Sequence, residues 1–299
     1  MVNQIIIGTR GSKLALWQAN DLKQKLANLG LQASLKIIQT KGDRLQHLSF
    51  DKIEGKGFFT GELEDALIRE DVDVAVHSMK DLPTDMDSQL TIAGVSERAD
   101  PADWIIIRPD AIDRSQTLFL KKKAQVGTSS NRRKAQLAAI RPDVIGVDVR
   151  GNVPTRIRKM HDGEVDAIIL AAAGLNRLNL DLAAYKVVKL HPREFVPAPA
   201  QGVMAYQIKK DRKEMHQVIR QVHVPSTAVL TNVERTILKN LQGGCHLPLG
   251  AYCEVDALGY YHVWAAYAAT LSDTLKQVSV SLSTVDGLAV AVVEKLKKS

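Results

Sequence analysis

The run VDVAVHSMKDLP, residues 72–83, reads as a buried strand that ends in a cluster of reactive side chains. Val72, Val74 and Val76 (with Ile68 upstream) are β-branched, Ala75 is small, and Asp71 and Pro83 bound the segment. A short apolar run with such boundaries is the mark of a strand covered on both faces. His77, Ser78, Lys80 and Asp81 follow at once. Ligands of open α/β sheets lie beyond the carboxyl ends of strands, which makes Lys80 and Asp81 the first candidates for chemistry. A plain strand exit, whose polar residues only cap a turn or helix, fits the same residues.

Working outward, Gln4–Gly8 reads as a strand and Ser12 as the N-cap of a helix over Lys13–Leu29. Leu14, Trp17, Leu22, Leu26 and Leu29 recur there at helical spacing, and Gly30 ends the helix. Leu35–Gln39 is the next expected strand, followed by a loop with Gly55 and Gly57 and a helix over Gly61–Arg69. This β-α-β-α-β order predicts an α/β domain with a largely parallel sheet.

The same grammar returns downstream. Val126-Gly-Thr-Ser-Ser-Asn-Arg-Arg parallels Ile7-Gly-Thr-Arg-Gly-Ser, and Glu164-Val-Asp-Ala-Ile-Ile-Leu parallels Asp71-Val-Asp-Val-Ala-Val-His. Two similar α/β halves are expected, facing one another across a cleft. Asp100-Pro101 and Arg108-Pro109 mark the passage into the second half, and Lys121–Lys123 reads as a solvated basic loop. Val196-Pro-Ala-Pro-Ala-Gln-Gly precludes a regular helix and reads as a hinge, after which Val203–Ile208 returns to the first sheet. A helix over Pro225–Leu241, with Val229, Val233, Ile237 and Leu241 on one face, leads to strands Tyr260–Ala265 and Gln277–Leu282 and a closing helix Gly287–Lys297. The expected domains are 1–98 with 200–219, then 99–199, then 220–299.

At 299 residues, 45% hydrophobic and 24% charged, the composition is that of an ordinary globular protein. No stretch has the length of a membrane span, and Ile5–Ile7 is too short for a signal-peptide core. Cys245 and Cys253 have neither paired spacing nor a secretory context, so a disulfide framework is not expected and the cytosol is the expected compartment. The net charge of +7 predicts an anionic partner. Aromatic content of 5% is poor for base stacking, and a small polycarboxylate or phosphorylated substrate fits the charge as well as nucleic acid does.

Two further features carry chemistry. Gln242-Gly-Gly-Cys-His-Leu-Pro-Leu-Gly250 places Cys245 in a tight loop, where it reads as a nucleophile, an attachment point or a buried apolar residue. With His246, Cys253 and His262 it forms no paired zinc spacing, and no metal is expected. Arg10, Arg132, Arg133, Arg150, Arg156 and Arg177 follow expected strands or open helices. Arginine there suits bidentate pairing with carboxylate or phosphate, and Thr128, Ser129 and Ser130 add hydroxyls and helix-N-terminal amides. No GxxxxGK[ST], GxGxxG or GxSxG pattern is present, which disfavours nucleotide cofactors and serine-elbow hydrolysis.

Gly8-Thr-Arg-Gly-Ser, Val76-His-Ser-Met-Lys-Asp-Leu-Pro, Gly127-Thr-Ser-Ser-Asn-Arg-Arg, Arg150-Gly-Asn-Val-Pro-Thr-Arg, Ala167-Ile-Ile-Leu-Ala-Ala-Ala-Gly-Leu-Asn-Arg-Leu and Gly243-Gly-Cys-His-Leu-Pro-Leu-Gly occur in this order. In these motifs the chain resembles the porphobilinogen deaminases, or hydroxymethylbilane synthases, over nearly its whole length. The resemblance implies an α/β fold of two periplasmic-binding-protein-like domains with a cleft between them, plus a small α+β C-terminal domain. It implies a dipyrromethane cofactor joined by a thioether to Cys245, and condensation of four porphobilinogen molecules into hydroxymethylbilane with loss of ammonia. By the same resemblance Asp81 is the catalytic carboxylate. Lys80, Thr128, Ser129, Arg132 and Arg133 hold the cofactor, and Arg10, Ser12, Arg150, Arg156 and Arg177 hold substrate carboxylates. A monomer without a nucleic-acid or membrane partner is implied as well.

The residue chemistry agrees, because each porphobilinogen brings two carboxylates and a growing chain of them needs cations. A carboxylate beside pyrrole N–H groups would stabilise the positive charge that develops as ammonia leaves. The chain departs from the family pattern at Gln242, where Glu is frequent, at Thr60-Gly61, where some members have lysine, at Asn131 for Leu, and at the extra Pro199 beside the hinge. A non-catalytic two-lobed module for a small polycarboxylate is the alternative, and it needs neither Asp81 nor the Gly-Gly-Cys loop.

Overall fold

The computed structural model describes residues 4–40, 60–242 and 247–298. It divides into two compact units, Met1–Ala99 with Gly202–Ala228, and Asp100–Gln201 with Val229–Ser299. In chain order the elements begin with β1 (Ile5–Thr9), α1 (Lys13–Asn28), β2 (Ala33–Ile37), α2 (Gly61–Ile68), β3 (Val74–Ser78) and β4 (Leu90–Val95). Next come β5 (Asp103–Ile107), β6 (Gln125–Gly127), α3 (Asn131–Ile140), β7 (Ile145–Val147), α4 (Val153–His161), β8 (Ala167–Ala171), α5 (Ala172–Leu178) and β9 (Lys186–Lys189). The chain continues through β10 (Met204–Lys209), α6 (Lys213–Arg220) and α7 (Pro225–Asn240). It ends in β11 (Leu249–Val255), β12 (Tyr261–Tyr267), β13 (Lys276–Leu282) and α8 (Leu288–Lys298).

The expected duplication is visible in the sheets. The first unit holds a sheet of order β2-β1-β3-β10-β4, in which β1 runs parallel to β2 and β3 while β10 is antiparallel to both β3 and β4. In the second unit the order is β7-β6-β8-β5-β9, with β6 parallel to β7 and β8, and β5 antiparallel to β8 and β9. Each sheet is thus a parallel trio followed by one reversed strand and a fifth strand. The reversed strand of each is the one next to a chain crossing: β5 follows residue 100, and β10 follows residue 202.

Burial explains why residues 72–78 read as a continuous apolar run. Val74 and Val76 pack with Ile5, Ile7, Leu22 and Leu26, while Ala75 packs on the opposite face with Leu63, Ala66 and Leu67 of α2. A parallel strand covered on both faces has no polar alternation. Helix α1 differs in detail from the expectation. Its buried face is Ala15, Gln18, Ala19, Leu22 and Leu26, whereas Trp17 and Leu29 are exposed. The small Ala15 and Ala19 line the face that meets the sheet, which a count of large apolar residues overlooks. The Schellman bond Leu31 N–H to Leu26 O (3.0 Å) and Gly30 at φ +78° close the helix as expected.

Two expectations need correction and one is made specific. The second strand lies at Ala33–Ile37 rather than Leu35–Gln39, because its parallel register pairs Ile5 with Ala33 and Thr9 with Ile37. The strand expected to return to the first sheet does so as β10, inserted between β3 and β4, which is why it is buried from Met204 to Ile208. Leu249–Val255, left within or beside the cysteine loop, forms β11, which pairs with β12 from Leu249↔Tyr267 to Val255↔Tyr261. The third sheet therefore has order β11-β12-β13 and packs Leu249, Ala251, Cys253 and Val263 against Leu288, Val292 and Leu296 of α8. On α7, Val233 and Ile237 join this core but Val229 is exposed. The Gly55 and Gly57 loop lies outside the described residues.

The hinge expected at residues 196–202 is irregular chain held by specific bonds. Ala200 adopts φ +61°, a left-handed conformation that costs a residue with a Cβ about 1 kcal/mol. Its N–H donates to Glu234 Oε2 (2.6 Å), and Cys253 N–H donates to Glu234 Oε1 (2.7 Å), so one buried carboxylate ties the segment to β11. Gly250 is required beside it, since a Cβ there would come within 2.5 Å of Val196 O. We expect Glu234→Ala to lower the stability of the second unit by about 2–4 kcal/mol, from two charge-assisted hydrogen bonds and two stranded N–H groups. Urea unfolding followed by tryptophan fluorescence measures this, and a loss below about 0.5 kcal/mol would contradict the linking role.

Candidate active site

In the first unit β1 and β3 are neighbouring parallel strands, so the residues after each emerge at the same end of the sheet. Arg10 and Ser12 follow β1, and Ser12 is the N-cap of α1, its Oγ accepting from Ala15 N–H at 3.2 Å. After β3 the chain makes a single 3-10 turn over Met79–Asp81. Met79 and Leu82 are buried on either side of it, and Met79 N–H donates to Val203 O (2.9 Å). Lys80 and Asp81 are held between these two anchors, with Lys80 half-buried and Asp81 exposed. Among the described residues none forms an ion pair with the exposed Asp81 carboxylate. From α1, Gln18 Nε2 donates to Ser78 Oγ (2.9 Å) and fixes the start of the turn.

His77 lies beneath this turn, on the face of β3 shared with Ala75. Burial pushes its imidazole down to about 4, the charge of Arg10 adding to the effect and Gln207 opposing it. Neither His77 Nε2 nor Gln207 Oε1 completes a hydrogen bond of good geometry. Gln207 Nε2 is itself engaged by Glu64 Oε1 at 3.0 Å. The ring is therefore neutral at pH 7.

The second unit repeats the arrangement with different side chains. Thr128–Ser130 follow β6, Arg150 follows β7, and Arg177 lies on α5 just beyond β8, at one end of three adjacent parallel strands. Ser130 caps α3, its Oγ accepting from Arg133 N–H, and Ser129 Oγ donates to Val149 O (3.1 Å), which joins the β6 exit to the β7 exit. Gly151 is at φ +114°, where a Cβ would also meet Thr155 Cγ2 at 2.6 Å. Its carbonyl accepts from Arg156 Nε (2.7 Å), holding Arg156 on the first turns of α4 close to Arg150. Thr128 is buried, and Ser129, Arg150, Arg156 and Arg177 are half-buried.

Arg132 and Arg133 are buried, and they converge on the fully buried Asp103 at the start of β5. Arg133 donates through Nη2 (2.7 Å) and Nε (3.2 Å) to Asp103 Oδ1, and Arg132 Nη1 lies 2.8 Å from Oδ2. Burial alone would raise the Asp103 pKa. The charges of Arg132 and Arg133 outweigh it and hold the carboxyl well below the usual range. One carboxylate balances two guanidinium groups, so the cluster keeps an unmatched positive charge in a desolvated place. Arg132 Nε is buried there without a partner.

Comparison with known proteins bears directly on this geometry. The family description "Porphobilinogen deaminase, dipyromethane cofactor binding domain" matches residues 5–217, and "Porphobilinogen deaminase, C-terminal domain" matches residues 228–286. The chain belongs to the porphobilinogen deaminase family. The porphobilinogen deaminase of Clostridium novyi is 41% identical over 260 residues, covering 85% of this chain and 84% of that protein. That of Sulfurimonas denitrificans is 43% identical over 257 residues, covering 85% and 80%. Among solved structures, the methionine-binding protein MetQ covers 76% of this chain and 92% of its own at 12% identity, with a TM-score of 0.47, too low to argue from.

Of the residues expected from sequence, Cys245 lies outside the described residues, between the end of α7 and the start of β11. Arg10, Ser12, Lys80, Asp81, Thr128, Ser129 and Arg150 follow parallel strands of their own unit, while Arg132, Arg133, Arg156 and Arg177 lie on the helices after such strands. Sequence reasoning missed Asp103 and Gln201, and it placed His77 after the strand where the structure buries it within β3. The signal that could have found Asp103 is an acid directly before the apolar Trp104–Ile107, a placement that costs several kcal/mol for a buried charge unless cations meet it. A pH test follows from His77. Its folded pKa lies below the ordinary 6.5, so between pH 6.5 and about 4 the unfolded chain takes up a proton that the folded chain refuses. Stability from this group is complete above pH 6.5 and is lost as pH falls through that window, by about 3 kcal/mol at most. Subtracting the His77→Gln stability curve from that of the unaltered protein should expose this slope, and superimposable curves would contradict it.

Proposed function

We propose that the chain is a transferase that condenses four porphobilinogen molecules head to tail, with loss of ammonia, onto a dipyrromethane joined by a thioether to Cys245, and then releases hydroxymethylbilane. The observation that carries this reading is the buried pair Arg132 and Arg133 sharing one carboxylate. Such a site has a standing demand for an anion, and the unpartnered Arg132 Nε supplies a donor for it. A group rich in carboxylates, such as the family's dipyrromethane, fits that demand. Thr128, Ser129, Arg132 and Arg133, with Lys80, are the residues we assign to holding it. When bound, the group supplies the pyrrole α-carbon to which the first substrate ring is joined.

Asp81 has the properties the reaction needs from a protein group. Exposed and unpaired among the described residues, its carboxylate can accept a pyrrole N–H and stabilise the positive charge that develops as the amine departs. It can then receive a proton released from the ring. We assign Arg10, Arg150, Arg156 and Arg177, with Ser12, to the acetate and propionate groups of substrate and product, where guanidinium forks pair with carboxylates. The thioether suits a permanent anchor because it resists hydrolysis.

The same reading divides the chain functionally at 1–98 with 200–219, 99–199 and 220–299, and takes it as a cytoplasmic monomer without a nucleic-acid partner. No helix among the described residues is long and apolar enough to cross a membrane. The small anionic substrate accounts for the +7 charge.

Intact-mass measurement tests the covalent group. The purified protein is expected to be heavier than its sequence by one dipyrrole, and Cys245→Ser to have the bare-chain mass. A bare mass in the unaltered, active protein would reject the cofactor, and a bare mass with no turnover would favour a two-lobed polycarboxylate binder. Asp81→Asn should keep the fold and the added mass but lose about 100-fold or more in turnover, since general acid–base and charge-stabilising groups contribute on that order. Near-normal turnover would remove Asp81 from the mechanism. Arg156→Ala is expected to accumulate one- to three-ring intermediates by mass spectrometry, with an unchanged distribution counting against its assignment.

A further inference from the structure

We infer that Asp103 is the positioning residue of the buried anion site, holding Arg133 by hydrogen bonds and Arg132 by an ion contact at Nη1, so that the Nε–Nη2 edge of Arg132 faces a ligand carboxylate. This rests on the proposed function, and it separates two arginines that the family motif presents as equivalent.

The donors are not equally committed. Arg133 uses Nε and Nη2 on Asp103 Oδ1 and Nη1 on Ile169 O (2.9 Å). All three of its nitrogens are engaged by the protein. Arg132 uses only Nη1, which donates to Val196 O (2.8 Å) and lies 2.8 Å from Asp103 Oδ2. Its Nε is buried without a partner, and its Nη2 has none among the described residues. Nε and Nη2 form the edge of a guanidinium that binds a carboxylate through two parallel hydrogen bonds. Both charges keep Asp103 ionised, but Arg133 contributes to the anion site through its charge alone, and Arg132 is the group with donors left for direct contact.

The carboxylate that imposes this division is itself fixed from behind. Gln201 Nε2 donates to Asp103 Oδ1 (2.9 Å) and to Pro101 O (2.8 Å). Gln136 clamps Val196 through both groups of its amide, Nε2 to Val196 O (2.9 Å) and Oε1 from Val196 N–H (2.6 Å). The acceptor on which Arg132 Nη1 rests therefore cannot drift. The net charge makes the arrangement directional, because two cations against one anion leave the cluster short of one negative charge, which a ligand carboxylate supplies.

The test compares cofactor loading with stability across matched variants of the full chain. Loading is the fraction of purified protein carrying the added dipyrrole mass, and stability is the Tm. Asp103→Asn is expected to reduce loading at least fivefold. Leu296→Ala, in the core beneath α8, serves as a control chosen for comparable Tm loss and should stay fully loaded. Should Asp103→Asn fail to fold, Asp103→Glu keeps the charge but shifts it by one methylene, and loading should fall at least twofold. Arg132→Lys retains a cation for Asp103 but removes the Nε–Nη2 edge, so it should lose at least twice as much loading as Arg133→Lys. Full loading in both Asp103 variants, with only Tm lowered, would make Asp103 a purely structural residue and overturn the inference. Equal losses in Arg132→Lys and Arg133→Lys would overturn the division of labour. A bare-chain mass in the unaltered protein is a different result, which would reject the proposed function itself.

Discussion

A single buried carboxylate, Asp103, shared by two guanidinium groups, is the constraint on which the second unit is built. It lies at the first residue of β5, receives Arg132 and Arg133 from the first turn of α3, and is braced by Gln201 from the segment that leaves the unit. Taking three charges out of water is expensive, and such clusters seldom add net stability over an apolar core. What they impose is geometry. Strand, helix and leaving segment pack in the arrangement that brings all three side chains together, and that arrangement leaves one buried guanidinium nitrogen, Arg132 Nε, without a partner.

The duplicated sheets show how one architecture holds different chemistry in its two copies. In each, residues after neighbouring parallel strands emerge together, as expected where a sheet is parallel and its loops collect at one end. The first copy places Lys80 and Asp81 on a 3-10 turn after β3. The second places Ala172–Leu178, an ordinary helix, after the matching β8. The acid is therefore confined to one copy, while the buried arginine pair is confined to the other. Buried neutral His77 and buried ionised Asp103 differ because burial dominates at the imidazole, with the Arg10 charge acting in the same direction, whereas two cations outweigh burial at the carboxylate.

Most of the architecture was legible because its signals are local. The valines of β3, the Ser12 and Ser130 caps and Gly30 beyond α1 depend on residues within one or two turns of themselves. Where expectations slipped, the deciding contact came from elsewhere. The position of β2 follows from its register against β1, the insertion of β10 from pairing with strands more than 100 residues earlier, and β11 from β12. The buried face of α1 was misjudged because alanines, which pack closest to a sheet, carry little weight in an apolar pattern.

The candidate site divides along the same line. Sequence alone determined its chemistry: an acid and a lysine after one strand, arginines after the duplicated strands, and a cysteine in a glycine loop, in an order shared with one family. Residue types suffice there because carboxylate ligands and proton transfers demand particular functional groups. Which arginine keeps donors that the protein does not use was decided only by tertiary structure. Arg132 and Arg133 are adjacent and chemically identical in the chain, and they become different only when Asp103, Ile169 and Val196, 29 to 64 residues away, claim different nitrogens of each. A guanidinium has five donors in a fixed plane, so its remaining function is set by whichever acceptors the fold has already brought to it.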